Sequence, residues 1–177
     1  MNNKKIKVGF HVDTKSYINI DLTNPEKGNP GIGGTEFTAI ATAYYLKKYY
    51  ADRLEVILFA NHSELLPPCL SYIHASNDLE AAIKSEQEGC DIIVLRSREC
   101  SSELEKIKVK IIVRSNNTPL ISGLRQIANC QQIKAHVCVG QEQLDLFRDH
   151  QIFAKSTRIF DLFNAENFIP KSPIDKL

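Results

Sequence analysis

The 177-residue chain has no excess of charge of either sign, no long apolar run and no close pair of cysteines. Its 22 Lys and Arg nearly balance 21 Asp and Glu, giving a net charge of +1, and the basic residues are spread along the chain. Without a basic face there is no electrostatic footprint for nucleic acid, and that partner class is excluded. No stretch approaches the roughly 18 apolar residues that span a bilayer. The run Ile6–Val12 is broken by Lys7, Gly9 and His11 and lacks a small-residue cleavage site, so it does not read as a secretion signal. The five cysteines are odd in number and none forms a Cys-x-x-Cys pair, which argues against metal or redox use. Cys138, inside an apolar run, reads as a small core residue, and the chain as a whole reads as a protein of the reducing cytosol. There is no internal repeat.

What is present is an alternation of apolar strands and helices. Strands are expected at Ile6–Val12, Leu54–Ala60, Asp91–Ser97, Lys108–Ser115, Ala135–Gly140 and Ser156–Phe163, with a further short one at Ser71–Ala75. Several are near-continuous apolar runs, which favours a parallel sheet covered on both faces. Between them, Phe37, Ile40, Ala41 and Tyr44 follow the i, i+3, i+4, i+7 spacing of one helix face. Asn77 with Glu80 forms a capping-box start for a helix over Asp78–Glu88, and Ser102 with Glu105 starts a shorter one. Thr118-Pro119 opens a helix with Leu120, Leu124, Ile127 and Ala128 inward, and Gln141–His150 turns Leu144 and Phe147 inward. The expected fold is α/β: a doubly wound, mainly parallel sheet with helices on both faces.

One connection breaks the pattern of short links. From Asp13 to Gly33 the chain is rich in Asn, Gly, Pro and Lys and has no periodicity. Loops of that length in compact domains are functional or disordered. This one leaves the first strand at the end where open α/β sheets bind ligands. It ends in Gly31-Ile32-Gly33-Gly34-Thr35-Glu36, directly before the longest helix. A helix N-terminus offers unpaired N–H groups and the positive end of a dipole, and glycines let a phosphate oxygen come close. The alternative is a plain loop-to-helix turn capped by Thr35 or Gly34, and spacing alone leaves both readings open. A P-loop is excluded because no Lys-Ser or Lys-Thr follows the glycines. A dinucleotide fingerprint would follow the first strand directly, which weakens a nicotinamide oxidoreductase reading. Glu36 suits the first helical turn but repels an anion. It is expected to brace the loop through backbone N–H groups or to bind ligand hydroxyls.

The segment Gly31–Lys48 resembles the Gly-Gly-x-Glu opening of the first helix in family 4 glycosyltransferases, the retaining, nucleotide-sugar-dependent group with the GT-B fold. Lys5–Val12 is similar to that family's first strand. Lys108–Pro119 stands where the family has a strand and a polar acceptor-side loop. Ala135–Phe147 is similar to its strand-then-helix segment, and Ser156–Pro170 to its closing strand and Asn…Phe-x-Pro segment. The resemblance covers nearly the whole chain and implies a Rossmann-like N-terminal, acceptor-side domain over 1–165, with 166–177 opening a linker to a second, donor-binding lobe that these residues do not contain. It implies a hexosyltransferase of polysaccharide biosynthesis, acting on a glycan or lipid-linked acceptor, metal-independent, and inactive as an isolated half. The competing readings are a non-catalytic Rossmann-like nucleotide- or sugar-binding module and a split-enzyme subunit.

The resemblance gives Gly33 and Gly34 the donor diphosphate, and Arg114, Asn116 and Asn117 the acceptor side, with Arg114 and Asn116 as the catalytic pair. The family's frequent His in that loop has no match here, and retaining transfer does not need it, because the leaving phosphate can take the acceptor proton. Sheet geometry gathers further polar residues at the strand C-terminal ends: His11, Asp13, Arg96, Ser97, Gln141 and Asn164. Of these, His11, Arg96, Gln141 and Asn164 join Glu36 and Asn117 as substrate-binding candidates. Arg96 offsets phosphate charge or forms an ion pair; Arg114 does the same or caps a helix. Asn116-Asn117 and Asn164 are also turn formers, and His11 also reads as a strand-end polar residue. Tyr44, Tyr45, Tyr49 and Tyr50, with Lys47 and Lys48 between them, pack, lie at the surface, or mark a peripheral contact with the inner face of the membrane.

Overall fold

The computed structural model describes residues 4–96, 102–115, 125 and 127–159. Its strands are β1 (Ile6–Val12), β2 (Leu54–Ala60), β3 (Ser71–His74), β4 (Ile92–Leu95), β5 (Lys110–Ser115), β6 (Ile133–Cys138) and β7 (Ser156–Arg158). Its helices are α1 (Gly34–Tyr50), α2 (Asp78–Gln87) and α3 (Gln141–Leu146), and residues 127–129 are helical as well. The seven strands form one sheet in the order β3-β2-β1-β4-β5-β6-β7, and every pairing is parallel. The chain winds outward from β1 to β3, then crosses back to β4 and winds the other way. This is a doubly wound, Rossmann-like α/β fold, with its reversal point between β1 and β4.

Alternation along the strands divides the core in two. Val8, Phe10, Val12, Val56, Leu58 and Ala60 pack with Ile40 and Ala43 of α1. On the other face Ile57, Phe59, Ile93, Leu95, Ile111 and Val113 pack with Ala81 and Ala82 of α2, with Ile127, and with Phe147 just beyond α3. Gly9 faces this second layer. A Cβ there would lie 2.7 Å from Ile93 Cδ1 and 2.7 Å from Phe59 Cε2, so the strand leaves the space to its neighbours' side chains.

The expected elements are present with shifted ends. β4 is shorter than Asp91–Ser97, β5 starts at Lys110 and not Lys108, and β6 begins at Ile133 and not Ala135. The Ser102 start yields a single 3-10 turn over Ser102–Lys106, and the Gln141 helix stops at Leu146. The Thr118-Pro119 start and residues beyond Ile159 lie outside the described residues. The buried line of α1 differs from the expected one. Glu36, Thr38, Ile40, Ala41 and Ala43 are buried, while Phe37 and Tyr44 are only partly covered. An ion pair from Glu36 to the end of β4, described below, turns the first helical turn toward the sheet.

The long loop is built, not formless. Asn24 Oδ1 accepts from Glu26 N, and Asn29 Oδ1 accepts from Gly31 N and Ile32 N, so short polar side chains supply the turns. Leu22 and Ile32 are buried against the α1 layer, and Leu22 N donates to Leu65 O at 2.8 Å.

At the far side of the sheet His136 is fully buried in β6. Its Nε2 lies 2.9 Å from Ser115 Oγ in β5, and its Nδ1 lies 3.0 Å from Ser156 Oγ in β7. The ring thus stitches three strands through hydroxyls that can donate or accept. Burial pushes its pKa down from 6.5 to about 4. The unfolded chain therefore binds this proton below about pH 6.5, and the folded chain only below about pH 4. Stability is complete at neutral pH and is lost as pH falls through that window. Thermal melts from pH 7.5 to 4 should show His136→Gln less stable at pH 7.5. Its midpoint should then fall with acid by about 5 °C less than that of the unaltered chain. Parallel acid limbs would show that another group sets the acid sensitivity.

Candidate functional site

A crevice opens at the C-terminal ends of the central strands, at the reversal point between β1 and β4. It is lined by His11 and Val12 of β1 with Asp13 just beyond, by Thr35, Glu36 and Ala39 of α1, by Val94 and Leu95 of β4 with Arg96 just beyond, and by Arg114 of β5. Its cavity is narrow, about 20 Å³, room for about one water molecule.

The glycine junction directly precedes Thr35 and Glu36, which line this crevice. Gly33 is the N-cap of α1, in place of the expected Thr35 or Gly34, and α1 begins at Gly34. Neither glycine has a positive φ, so neither is needed for backbone strain. Gly33 is needed for space. A Cβ there would overlap the Glu36 carboxylate, which folds back over the cap. At Gly34 nothing lies within 4 Å of an added Cβ, so this is the open side of the helix start.

No backbone N–H donates to Glu36 among the described residues; its partner is a side chain. Its Oε1 accepts from Arg96 Nη1 in an ion pair between α1 and the end of β4. The Glu36 side chain is 9% exposed and that of Arg96 is 34% exposed, so the pair is partly withdrawn from water. A carboxylate in the first turn also meets the positive end of the helix, which favours its burial. Of the two readings of Arg96, the ion pair is the one observed.

On the other side of β1, His11 Nδ1 lies 2.5 Å from Asp78 Oδ1 at the first residue of α2. That helix start is fixed by Asn77, whose Oδ1 accepts from Glu80 N at 2.9 Å, and by Glu80 Oε2, which accepts from Ser76 N at 2.8 Å. Glu80 is held at about 2, well below the usual carboxylate range, chiefly by its hydrogen bond from Lys84. Beyond β1, Thr14 is buried, with its N–H donating to Asn61 Oδ1 at 2.9 Å and its carbonyl 2.6 Å from His62 Nε2. The exit of β1 is thus braced by the loop after β2.

Of the candidate residues, His11, Glu36, Arg96 and Arg114 line the one crevice, and Gly33 and Gly34 precede its Thr35 and Glu36 in the chain. Gln141 does not join them. It is exposed at the start of α3, with Nε2 donating to Asp145 Oδ1 at 2.9 Å. Ser97, Asn116, Asn117 and Asn164 lie outside the described residues. Asp78 was missed, because it stands 67 residues from His11 and its sequence signal is that of an ordinary helix start. Among the tyrosines, Tyr45 and Tyr49 stack at 6.0 Å with Lys48 over Tyr49, and Tyr49 and Tyr50 are exposed. Among the described residues no helix is long and apolar enough to cross a membrane. Among them, too, no three His, Cys, Asp or Glu side chains gather as a metal-binding set. Cys90 and Cys138 are buried, with thiols pushed up to about 11, so they are poor ligands and nucleophiles.

The chain matches no known protein-family model, and no curated protein sequence is significantly similar to it.

Proposed function

We propose that this chain is the acceptor-side lobe of a nucleotide-sugar-dependent glycosyltransferase of the GT-B type, moving a hexosyl group to a glycan or lipid-linked hydroxyl. One observation carries the reading. Thr35 and Glu36 of the first turn of α1, with Arg96 and Arg114, border a single crevice at the reversal point of a doubly wound sheet. That is the place and the charge for a diphosphate whose leaving group must be stabilised as it departs. The Gly-Gly-x-Glu order adds the resemblance described above. The Glu36 carboxylate holds Arg96 in the crevice, and a donor diphosphate would take its place as the anionic partner. The sugar and the second half of the nucleotide site belong to a second lobe, supplied in the same polypeptide or by a partner.

The test is release of nucleoside diphosphate from a panel of UDP-, GDP- and ADP-sugars. It compares the native protein purified from its source with these 177 residues alone. Turnover by the native protein and none by the isolated chain is the expected result. A native protein no longer than this chain, with no turnover on any donor, would sink the proposal and leave a binding module.

Two glycine substitutions separate the roles at the helix start. Gly34→Val should leave the melting temperature within about 2 °C, because its side chain enters open space, and should cut donor-dependent turnover about 10-fold or more. Turnover within twofold of the unaltered enzyme would remove the phosphate role from Gly34. Gly33→Ala should act on stability instead, costing about 1 kcal/mol by displacing the Glu36 carboxylate from Arg96. A Gly33→Ala melt superimposable on the unaltered one would show that the carboxylate moves aside freely.

A further inference from the structure

A second cavity, of about 540 Å³, opens at the N-terminal ends of β1 and β2, beside the last turn of α1. β1 is seven residues long, so this cavity stands about 20 Å from the crevice, at the other end of the sheet. Its volume lies within the range of about 300–1,000 Å³ usual for small-molecule sites. Ile6, Leu46 and Leu54 give it an apolar lining, and Leu46 and Leu54 are the partly buried edge of the α1 layer. Tyr50 adds an aromatic ring, and Lys4, Asp52 and Arg53 add charge. The turn that carries Tyr50, Asp52 and Arg53 is fixed by its hydrogen bonds. Arg53 N donates to Tyr50 O at 2.9 Å, Ile6 N donates to Arg53 O at 3.0 Å, and Lys5 Nζ donates to Ala51 O at 2.6 Å.

Two of the lining side chains stand apart from neighbours of their own kind. Along α1, Tyr44 meets Tyr45 edge-on and Tyr45 stacks on Tyr49, whereas the Tyr50 ring packs on no other ring among the described residues and is 46% exposed. Of the nearby cations, Lys7 pairs with Glu55 and Glu88, Lys5 is held by the Ala51 carbonyl, and Lys4 lies 3.8 Å from Asp91. Arg53 pairs with no side chain among the described residues. Its guanidinium fork therefore has its full capacity for an oxyanion. Asp52, next to it, repels further negative charge and accepts hydrogen bonds from N–H or O–H groups.

We propose that this cavity is a second ligand site and that it takes a nucleoside monophosphate. The base lies against Tyr50 and the apolar lining, the phosphate is held by Arg53 with Lys4, and Asp52 accepts from the ribose hydroxyls or a base N–H. Each part of the lining then has a use. A free phosphate leaves the ring and the apolar residues unused, and a nucleoside without phosphate leaves Arg53 unpaired. A longer phosphate chain brings more negative charge toward Asp52. The site is separate from the crevice, and the proposal does not depend on glycosyl transfer.

The test is amide NMR of the ¹⁵N-labelled 177-residue chain during titration with AMP, GMP, CMP and UMP. At least one should bind with a Kd below about 1 mM and move the amide signals of Ile6, Tyr50, Arg53 and Leu54. The matching nucleoside and inorganic phosphate should each bind about 10-fold more weakly or worse, and the matching triphosphate no more tightly. Arg53→Gln and Tyr50→Ala, both at exposed positions, should each weaken binding about 10-fold and leave the melting temperature within about 2 °C. Arg96→Gln, in the crevice, should leave the affinity at this site unchanged. No movement of the four amides with any nucleotide at about 10 mM overturns the proposal. So do shifts confined to Gly33–Glu36, which would put the nucleotide in the crevice, and an affinity that neither Arg53→Gln nor Tyr50→Ala alters. Inorganic phosphate binding as tightly as the nucleotides would overturn it in favour of an unselective anion patch. Binding to phosphatidylglycerol vesicles in place of the nucleotides, and lost in Arg53→Gln, would overturn it in favour of a lipid surface.

Discussion

A parallel sheet must be covered on both faces, and β1 is the strand where this constraint is sharpest. It is the first strand in the chain and lies in the interior of the sheet, between β2 and β4. Its residues alternate between two helix layers that belong to opposite directions of winding. Gly9 is small because Phe59 and Ile93 close over it. Two residues on, His11 faces the same layer at the point where that layer ends, and there it meets α2 in place of another apolar side chain. The crevice follows from topology. Where windings diverge from one strand, the helices on either side cannot both reach its C-terminal end, and the gap between them is lined by whatever residues finish the strands.

How that gap is filled is an electrostatic matter. Burying the Glu36 carboxylate is costly unless a cation meets it, and Arg96 does so from β4. Because Arg96 keeps about a third of its side chain in water, the pair is not locked in a dry interior. An anion of higher charge than a carboxylate, offering more acceptor atoms to a guanidinium fork, can compete for it. The same pair orients the first turn of α1 and leaves Gly34 facing outward. One ion pair therefore sets the buried face of the helix and the accessibility of its N–H groups together.

The strands were legible because each is a near-continuous β-branched run, and burial on both faces leaves no other reading of such runs. Their order followed from alternation with helices. Less was legible wherever the deciding contact is distant in the chain. The buried face of α1 could not be found from periodicity, because its line passes through Glu36 and Thr38, residues that apolar spacing discards. Glu36 was read against its local surroundings, whereas its partner lies 60 residues away. Asp78 looked like the ordinary first residue of a helix capped by Asn77, which it also is. Gln141 was drawn in by its position after a strand, but β6 stands two strands from the reversal point, and its exit does not face the crevice. The loop from Asp13 to Gly33 had no period because its order comes from Asn side chains bonding their own backbone and from isolated buried residues such as Leu22 and Ile32.

Histidines show two different surroundings of one residue type on one scaffold. His136 lies in the middle of a strand, far from any chain end, and two hydroxyls take up both its nitrogens. Protonation there has nowhere to place the charge, and burial accordingly drives the pKa to about 4. His11 lies one residue before the end of its strand, where the layer of side chains gives way to the crevice. Asp78, at the first residue of α2, takes one of its nitrogens. The sequence distinguishes these cases poorly, since both residues sit in apolar β-branched runs. The distinction arises only when the crossover from β3 to β4 carries the start of α2 back across β1. Thus the same reversal that opens the crevice also delivers the carboxylate that equips it.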